Sequence, residues 1–397
     1  MKYDSHVCLV SEQATPNLVA AIDEKWRPRC VILATSKEMN SNANHLERVL
    51  KRRGIVIERL PIGDAYDYFG LYDLFLNFID GKEDKVALNV TGGTKIMAMA
   101  AQEAFRDAKA PVFYVNVQTD EILVFGDRAR SASLTGKVGL ADFLEAHGYT
   151  FTHGSRPEKP EVTREQSDLT LRIVDGVERF GPALGDLNTL AAQAKGSLIG
   201  KLEERPRDPT NLKAIIDLFI EGGHIRRDNH NLHFVSEESR KFVCGGWLEQ
   251  HVYKAMSDLA GIRHFTDFGM NMQILAPNGA TANEIDGAFL HRNTLHLIEC
   301  KAANLANTGN TGDDKGTEAI YKLETLLKMG GFRTRGMLID YRGRLSIARG
   351  REDKNRVEAN SARAKAANIR IVAGTAIKTL KREIEEWIAP SSLSDLS

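Results

Sequence analysis

The sequence predicts an α/β protein built from two main units, and three observations lead there. The chain has 397 residues, more than a single ordinary core accommodates. Short apolar runs alternate with amphipathic helical patterns from Met1 to about Phe125, as in a parallel sheet covered on both faces. A second alternation begins at Gly245 and Gly246, after a stretch of different composition.

The first strand-like runs are His6–Val10, Arg29–Ala34, Ile55–Leu60, Val86–Val90 and Val112–Val117, with helical segments such as Asn44–Arg53, Tyr72–Ile79 and Ile96–Ala108 between them. The result is a Rossmann-like layer, whose ligands sit beyond the carboxyl ends of the strands. His153–Glu165 is rich in Gly, Pro and charge and reads as a linker. Asp186–Val235 reads as short helices ending at Gly222 and Gly223, then a strand pair Gly223–Arg227 and Asn231–Val235; this order fits a small winged-helix module or a simple connector. The last region offers a helix Trp247–Leu259, strands Asn283–Leu290 and Thr294–Ala302 joined by the polar turn His291, Arg292, Asn293, and a loop Asn304–Gly316. Helix Glu318–Lys328, strand Arg335–Asp340, helix Glu352–Ala367 and strand Ile369–Ala373 complete it. The expected boundaries are 1–150, 151–240 and 241–397.

Lys plus Arg and Asp plus Glu both total 53, so nucleic acid cannot be held by bulk attraction and needs a local patch. Cys8, Cys30, Cys244 and Cys300 lie far apart with no C-x-x-C pair, against a zinc site or a redox motif. With no signal-peptide pattern near Met1–Ser11 and no apolar run of about 18 residues, the expectation is a soluble, cytoplasmic protein with reduced thiols.

Asp286 lies within one extended run, and Glu299 and Lys301 lie two residues apart on the next. Period-two geometry puts Glu299 and Lys301 on one strand face with Leu295 and Leu297, so an apolar face turns charged at its end. A hairpin brings Asp286 beside them. Two converging carboxylates suit Mg²⁺ or Mn²⁺, which take oxygen ligands; such an ion polarises a phosphate oxygen and lowers the pKa of a coordinated water, while a lysine stabilises charge. E-x-K alone fits any strand of mixed charge; the acid, the hairpin and the flanking helices add weight to a site for phosphodiester hydrolysis, which needs these functions together.

This arrangement resembles the PD-(D/E)xK nuclease superfamily and a restriction-endonuclease-like α/β fold, with Asp286 as the first acid and Glu299-Cys300-Lys301 as E-x-K. The resemblance implies catalysis by Asp286, Glu299, Lys301 and the helical acid Glu249, and a metal held by Glu249, Asp286, Glu299 and the Cys300 carbonyl. It also puts Tyr321 or Lys322 near the cleaved phosphate, although Ile320, Leu323, Leu326 and Leu327 make that helix a packing element too. Here Glu284-Ile285-Asp286 stands where relatives carry Pro-Asp. Arg333, Arg335, Arg342, Arg344, Arg349 and Arg351 crowd the following stretch and could track phosphates.

Thr91-Gly92-Gly93-Thr94-Lys95 sits between a strand and a helix, where glycines let backbone N–H groups approach an anion. The P-loop spacing is absent and no G-x-G-x-x-G follows a strand, which excludes an ordinary NTPase and weakens a dinucleotide enzyme. Two more polar turns, Ser11–Asn17 and Thr35–Lys37, open on the same sheet edge; for any one turn, helix capping is the plainer role. Together these turns resemble CARF domains, sensors of cyclic oligoadenylate, and with the nuclease signature the chain resembles the CARF and PD-(D/E)xK fusion effectors of type III CRISPR systems. The resemblance implies a homodimer that binds cyclic tetra-adenylate through Thr91, Gly92, Gly93, Thr94 and Lys95, with Ser11, Gln13, Thr15 and Thr35 contributing, and that cleaves DNA or RNA when activated. The alternatives are an unregulated DNA-processing or restriction-type endonuclease and a non-enzymatic, nucleotide-responsive DNA-binding regulator. A sensor that also degrades its ligand is compatible with the same turns.

Overall fold

The computed structural model describes residues 3–82, 85–126, 130–152, 156–202, 208–228, 230–277, 279, 282–302, 315–343, 345 and 351–389. Five parallel strands come first: β1 (Ser5–Leu9), β2 (Cys30–Thr35), β3 (Val56–Pro61), β4 (Val86–Asn89) and β5 (Val112–Asn116). Helices α1 (Thr15–Ile22), α2 (Asn40–Arg52), α3 (Tyr68–Ile79) and α4 (Lys95–Asp107) connect them. β6 (Glu121–Phe125) and β7 (Arg130–Ser133) extend one edge antiparallel, giving the order β3-β2-β1-β4-β5-β6-β7.

Both faces of the parallel part are covered, so its central strands are apolar almost throughout rather than alternating. In β2, Val31 and Leu33 join Leu46 and Leu50 of α2 on one side, while Ile32 and Ala34 join Phe75 of α3 and Phe105 of α4 on the other. The expected Rossmann-like layer is present, and the turns after β1, β2 and β4 open at one edge because those three strands are parallel neighbours.

Next come α5 (Leu140–Ala146) and the short β8 (Thr150–Phe151), which pairs with the C-terminal sheet. Part of the expected linker is pinned there: Glu158 bridges to Met270, and its carboxylate accepts from Asn271 Nδ2 at 2.8 Å. Residues 153–155 lie outside the described residues. The middle region contains α6 (Arg164–Asp175), α7 (Val177–Gln193), β9 (Ile199–Lys201), α8 (Pro209–Glu221), β10 (Ile225–Asp228), β11 (Asn231–Phe234) and α9 (Glu237–Lys241), with an antiparallel sheet β10-β11-β9. Helices and a small three-stranded sheet thus make up this region. Instead of the short helices expected from residue 186, α7 runs for 17 residues, because Phe180, Ala183, Leu184, Leu187, Leu190 and Ala191 form a continuous buried stripe that outweighs Gly181 and Gly185.

The C-terminal unit consists of α10 (Trp247–Ala260), β12 (Phe265–Leu275), β13 (Ala282–His291), β14 (Thr294–Lys301), α11 (Lys315–Leu327), β15 (Arg335–Asp340), α12 (Arg351–Ala366), β16 (Ile369–Ala373) and α13 (Leu380–Ile388). Its sheet runs β16-β15-β14-β13-β12-β8, with β14, β15 and β16 parallel and the remaining pairs antiparallel. The loop expected at 304–316 falls outside the described residues up to 314, as do Arg344 and Arg349 and the side chain of Arg351.

The two sheets share one apolar core through α5. Leu140, Phe143 and Leu144 pack in the same cluster as Leu18 and Leu46 of the first unit and Met272, Ile274, Leu290 and Leu295 of the last. Polar ties reinforce this helix: Arg52 Nη2 donates to Asp142 Oδ1 at 2.6 Å, and the Leu140 amide donates to Asp267 Oδ2 at 2.9 Å. No helix among the described residues is long and apolar enough to cross a membrane.

In the C-terminal unit, buried Tyr341 stands edge-on to Trp247 at 4.8 Å and its hydroxyl donates to the Ile173 carbonyl of α6 at 2.7 Å. Tyr341→Phe leaves that carbonyl without its partner and should cost about 1–3 kcal/mol in a denaturant titration.

Candidate functional site

β13 and β14 form a hairpin closed by the two-residue turn Arg292–Asn293, with φ of 49° and 53°. Both residues are left-handed, as a type I′ turn requires, and this turn fixes the register. The last paired residues are Gly287 and Ile298; one step further, Asp286 and Glu299 lie across from each other. There the ladder gives way to a side chain, because the Cys300 amide donates to Asp286 Oδ2 at 2.7 Å. The expected meeting of the first acid with the E-x-K strand therefore occurs, through a hydrogen bond from that strand's backbone to the acid's side chain.

Glu299 is 1% exposed and Asp286 9% exposed. Two buried carboxylates so close together need counter-charge. Lys301 forms an ion pair with Glu299 Oε1, and Lys322 Nζ of α11 donates to both Glu299 oxygens at 2.8 Å. The apolar stripe of α11 orients that lysine: Ile320, Leu323, Leu326 and Leu327 are buried against the sheet. Tyr321 instead points outward, 49% exposed, with the Arg363 guanidinium 4.6 Å from its ring centre.

Burial, then the charge of Glu299, pushes Asp286 up to about 6, with Lys301 opposing. Glu249 lies in the first turn of α10, behind the left-handed Gly245 at φ 132°. Burial, then the Asp286 charge, pushes it up to about 7. Burial draws the Lys301 ammonium down, but Glu299 and Asp286 outweigh it and the net shift is upward. Among the described residues no three His, Cys, Asp or Glu side chains are grouped closely enough to hold a metal by themselves. The side chains that meet are the carboxylates of Asp286 and Glu299 with Lys301, and Glu249 is felt through its charge.

The three arginines of this group whose side chains are described lie in different surroundings. The Arg335 guanidinium stands 5.9 Å from the Trp387 ring centre and Arg342 is buried, whereas Arg333 is exposed and lines a cleft toward the N-terminal unit.

On the first sheet, two buried asparagines hold the 91–95 turn. Asn17 Nδ2 donates to the Leu9 carbonyl at 3.0 Å, and Asn89 Nδ2 donates to Asn17 Oδ1 at 3.0 Å. Asn89 Oδ1 accepts from the Thr91 hydroxyl at 2.7 Å, and Thr91 Oγ1 accepts from the Val115 amide at 2.7 Å. The Thr94 hydroxyl donates to Ala65 O at 2.9 Å and accepts from the Met97 amide at 3.1 Å, capping α4. Gly92 abuts the Leu9 carbonyl, where a Cβ would overlap it, and Gly93 has φ of 74°. Lys95 is exposed at the start of α4.

The remaining candidates separate. Gln13, Thr15 and Thr91 line one cleft, while Thr35 lines another with Lys37 and Arg59 and its hydroxyl donates to Leu33 O at 3.0 Å. Ser11 is half-buried and lines neither of these clefts. Sequence reasoning missed the Asn17–Asn89 pair, which only the parallel register brings together. It noted Lys322 but not its bond to Glu299; the signal was a lysine interrupting an apolar helix face.

A parallel layer with polar turns at one edge is joined to a sheet whose strand β14 ends in a buried acid and a half-buried lysine, the layout expected of a sensor joined to a nuclease. Residues 5–143 match the Card1 CARF domain family model and residues 236–391 match the Card1-like endonuclease domain family model. None of the curated proteins compared matches the sequence. Protein VC1899 from Vibrio cholerae superposes with a TM-score of 0.83 at 22% identity, over 96% of this chain and 97% of its own. Can2 from Sulfobacillus thermosulfidooxidans, solved with cyclic tetra-adenylate, gives a TM-score of 0.77 at 23% identity over 97% of each chain. A type III CRISPR defence DNA nuclease activated by cyclic oligoadenylate gives 0.53 at 21% identity, over 85% of this chain and 45% of its own. These likenesses show the fold.

Two predictions follow from this geometry. Raised carboxylate pKa values mean that the folded protein holds more protons than the unfolded chain between about 4 and 7, so these groups lower stability as pH rises through that window. In chelator, Glu249→Gln should therefore melt higher than the parent at pH 8, with the difference disappearing at pH 4. Gly92→Ala should destabilise the protein by about 1–3 kcal/mol through overpacking against Leu9, measured by thermal unfolding.

Proposed function

We propose that this CARF-domain endonuclease is activated by cyclic tetra-adenylate and cuts DNA or RNA in type III CRISPR antiviral defence, working as a cytoplasmic homodimer. The observation that carries the catalytic part is the meeting of Asp286, Glu299 and Lys301 at the end of β14, in a chain with a CARF domain in front. In this reading residues 1–150 sense the ligand, 151–240 connect and 241–397 cleave.

The acids fit Mg²⁺ or Mn²⁺, since such ions need only one or two carboxylates when waters and substrate phosphate complete the shell. Asp286, Glu299 and the Cys300 carbonyl would hold the ion, with Glu249 adding negative charge beside it. The PD-(D/E)xK pattern supports the same assignment. When bound, the divalent ion supplies Lewis acidity toward a phosphate oxygen. Lys301 keeps its proton beside the two acids and supplies positive charge where the pentavalent phosphate accumulates negative charge. Lys322, which donates to both Glu299 oxygens, would orient that carboxylate and add a second positive charge beside the phosphate.

On the sensor side, the exposed ammonium of Lys95 and the close-packed Gly92–Gly93 backbone suit the phosphates of a cyclic oligoadenylate. The hydroxyls of Thr91 and Thr94 shape that turn. A ring with twofold symmetry matches an isologous dimer, in which both copies present the same donors. Can2, whose structure contains cyclic tetra-adenylate, shares this fold.

Purified protein incubated with labelled single-stranded DNA, duplex DNA or RNA, with Mn²⁺, should cleave on addition of cyclic tetra-adenylate. Glu299→Gln and Lys301→Met should each lower the rate by about 100-fold or more. Cleavage by these variants at the parent rate would remove the site from catalysis. Lys95→Ala should weaken cyclic tetra-adenylate about tenfold, or about 1.4 kcal/mol.

A further inference from the structure

A cavity of about 550 Å³ lies where α6 of the middle region meets α10 and α13 of the nuclease unit. That volume is within the roughly 300–1,000 Å³ of a small-molecule site. Val162, Leu171, Ala255 and Leu380 are its apolar lining, and Leu171 stays 47% exposed. The charged lining sets Lys254, Lys378, Lys381 and Arg382 against Asp258 and Glu385. Lys378 and Arg382 reach acids outside the cavity, Glu178 at 3.5 Å and Glu386 at 3.6 Å, and Glu385 is engaged by Arg263 at 2.7 Å. Lys254 and Lys381 both pair with the single carboxylate of Asp258, which leaves a surplus positive charge there. His251 adds a polar atom of fixed character. Its Nε2 lies 3.2 Å from the Ile377 carbonyl; a carbonyl only accepts, so Nε2 carries the proton and Nδ1 holds a lone pair. Burial lowers the pKa of this imidazole and keeps it neutral. Nδ1 has no hydrogen-bond partner among the described residues, and unlike the orphaned ring nitrogens of His6 it is not sealed from solvent.

An acceptor without a donor, a surplus ammonium and an apolar wall together suit a ligand that carries a hydrogen-bond donor, an anion and a flat apolar body. An inorganic anion would leave the apolar wall uncovered, and a fatty acid offers the imidazole no donor. We propose that this cavity binds a nucleoside monophosphate. Its base lies against Val162, Leu171 and Ala255, a base amine donates to His251 Nδ1, and its phosphate accepts from Lys254 and Lys381. No residue of the acid cluster at Glu299 or of the 91–95 turn lines the cavity, so the site is separate from both and does not depend on how either of them functions. A nucleotide bound here bears on α10, whose first turn carries Glu249, and ties the middle region to the nuclease unit.

The test is calorimetric titration of adenosine 5′-monophosphate into the full-length protein in chelator, with adenosine and inorganic phosphate as separate arms. The parent is compared with Lys381→Met, Lys381→Arg, Leu171→Glu and Lys95→Ala. Lys381 and Leu171 are exposed, so their variants keep the fold. The expected result is saturable binding of the monophosphate by the parent and by Lys95→Ala, about tenfold weaker binding by Lys381→Met and Leu171→Glu, and partial recovery in Lys381→Arg. Adenosine and phosphate should each bind the parent at least about tenfold more weakly than the monophosphate. The inference fails if the parent does not bind the monophosphate, or if Lys381→Met and Leu171→Glu bind it as the parent does. It also fails if Lys95→Ala alone abolishes binding, since the nucleotide then sits at the sensor, or if phosphate by itself binds as tightly as the monophosphate.

Discussion

The carboxylate of Glu299 is removed almost completely from water, and the nuclease unit is arranged around that cost. A buried charge is tolerated only with a partner in good geometry. Lys322 bridges both of its oxygens from a helix, and Lys301 adds a second ammonium from the same strand. To deliver Lys322, α11 must lie flat on the sheet, which its apolar stripe ensures. To keep Asp286 near without repelling Glu299, the structure gives Asp286 a backbone donor at Cys300. Helix, strand end and hairpin register are therefore coupled through one acid.

Much of this was legible in the sequence, since local rules govern the relevant pieces. Val86–Val90 followed by Thr91-Gly92-Gly93-Thr94-Lys95 reads as strand, turn and helix, and that is what forms. The pair Glu299 and Lys301 follows from period two, and the turn Arg292–Asn293 from its polar residues. β12 was not legible: Phe265–Leu275 mixes Thr, Asp, Gly, Asn and Gln without clean alternation, and pairing along β13 holds it extended. β6 and β7 likewise depend on their neighbours.

The sensor turn exposes a deeper limit. A threonine at a helix start can cap the helix or contact a ligand, and both roles select the same residue at the same place. Thr94 caps, and the Thr91 hydroxyl is engaged on both sides; the distinction lies in partners far away in sequence. The Asn17–Asn89 pair is of the same kind, for its two members are 72 residues apart and meet only because β1 and β4 are neighbours.

Helix α5 has a bearing on modularity. Phe143 and Leu144 belong to the interior of both sheets at once, so excising either half would leave a greasy scar where the other had been. Such a pair does not behave as beads on a string: replacing the rear unit with a different effector would demand a new surface fitted to this small helix. The seven residues from Leu140 to Ala146 act as the gasket of the molecule, and any exchange of parts has to be cut around it.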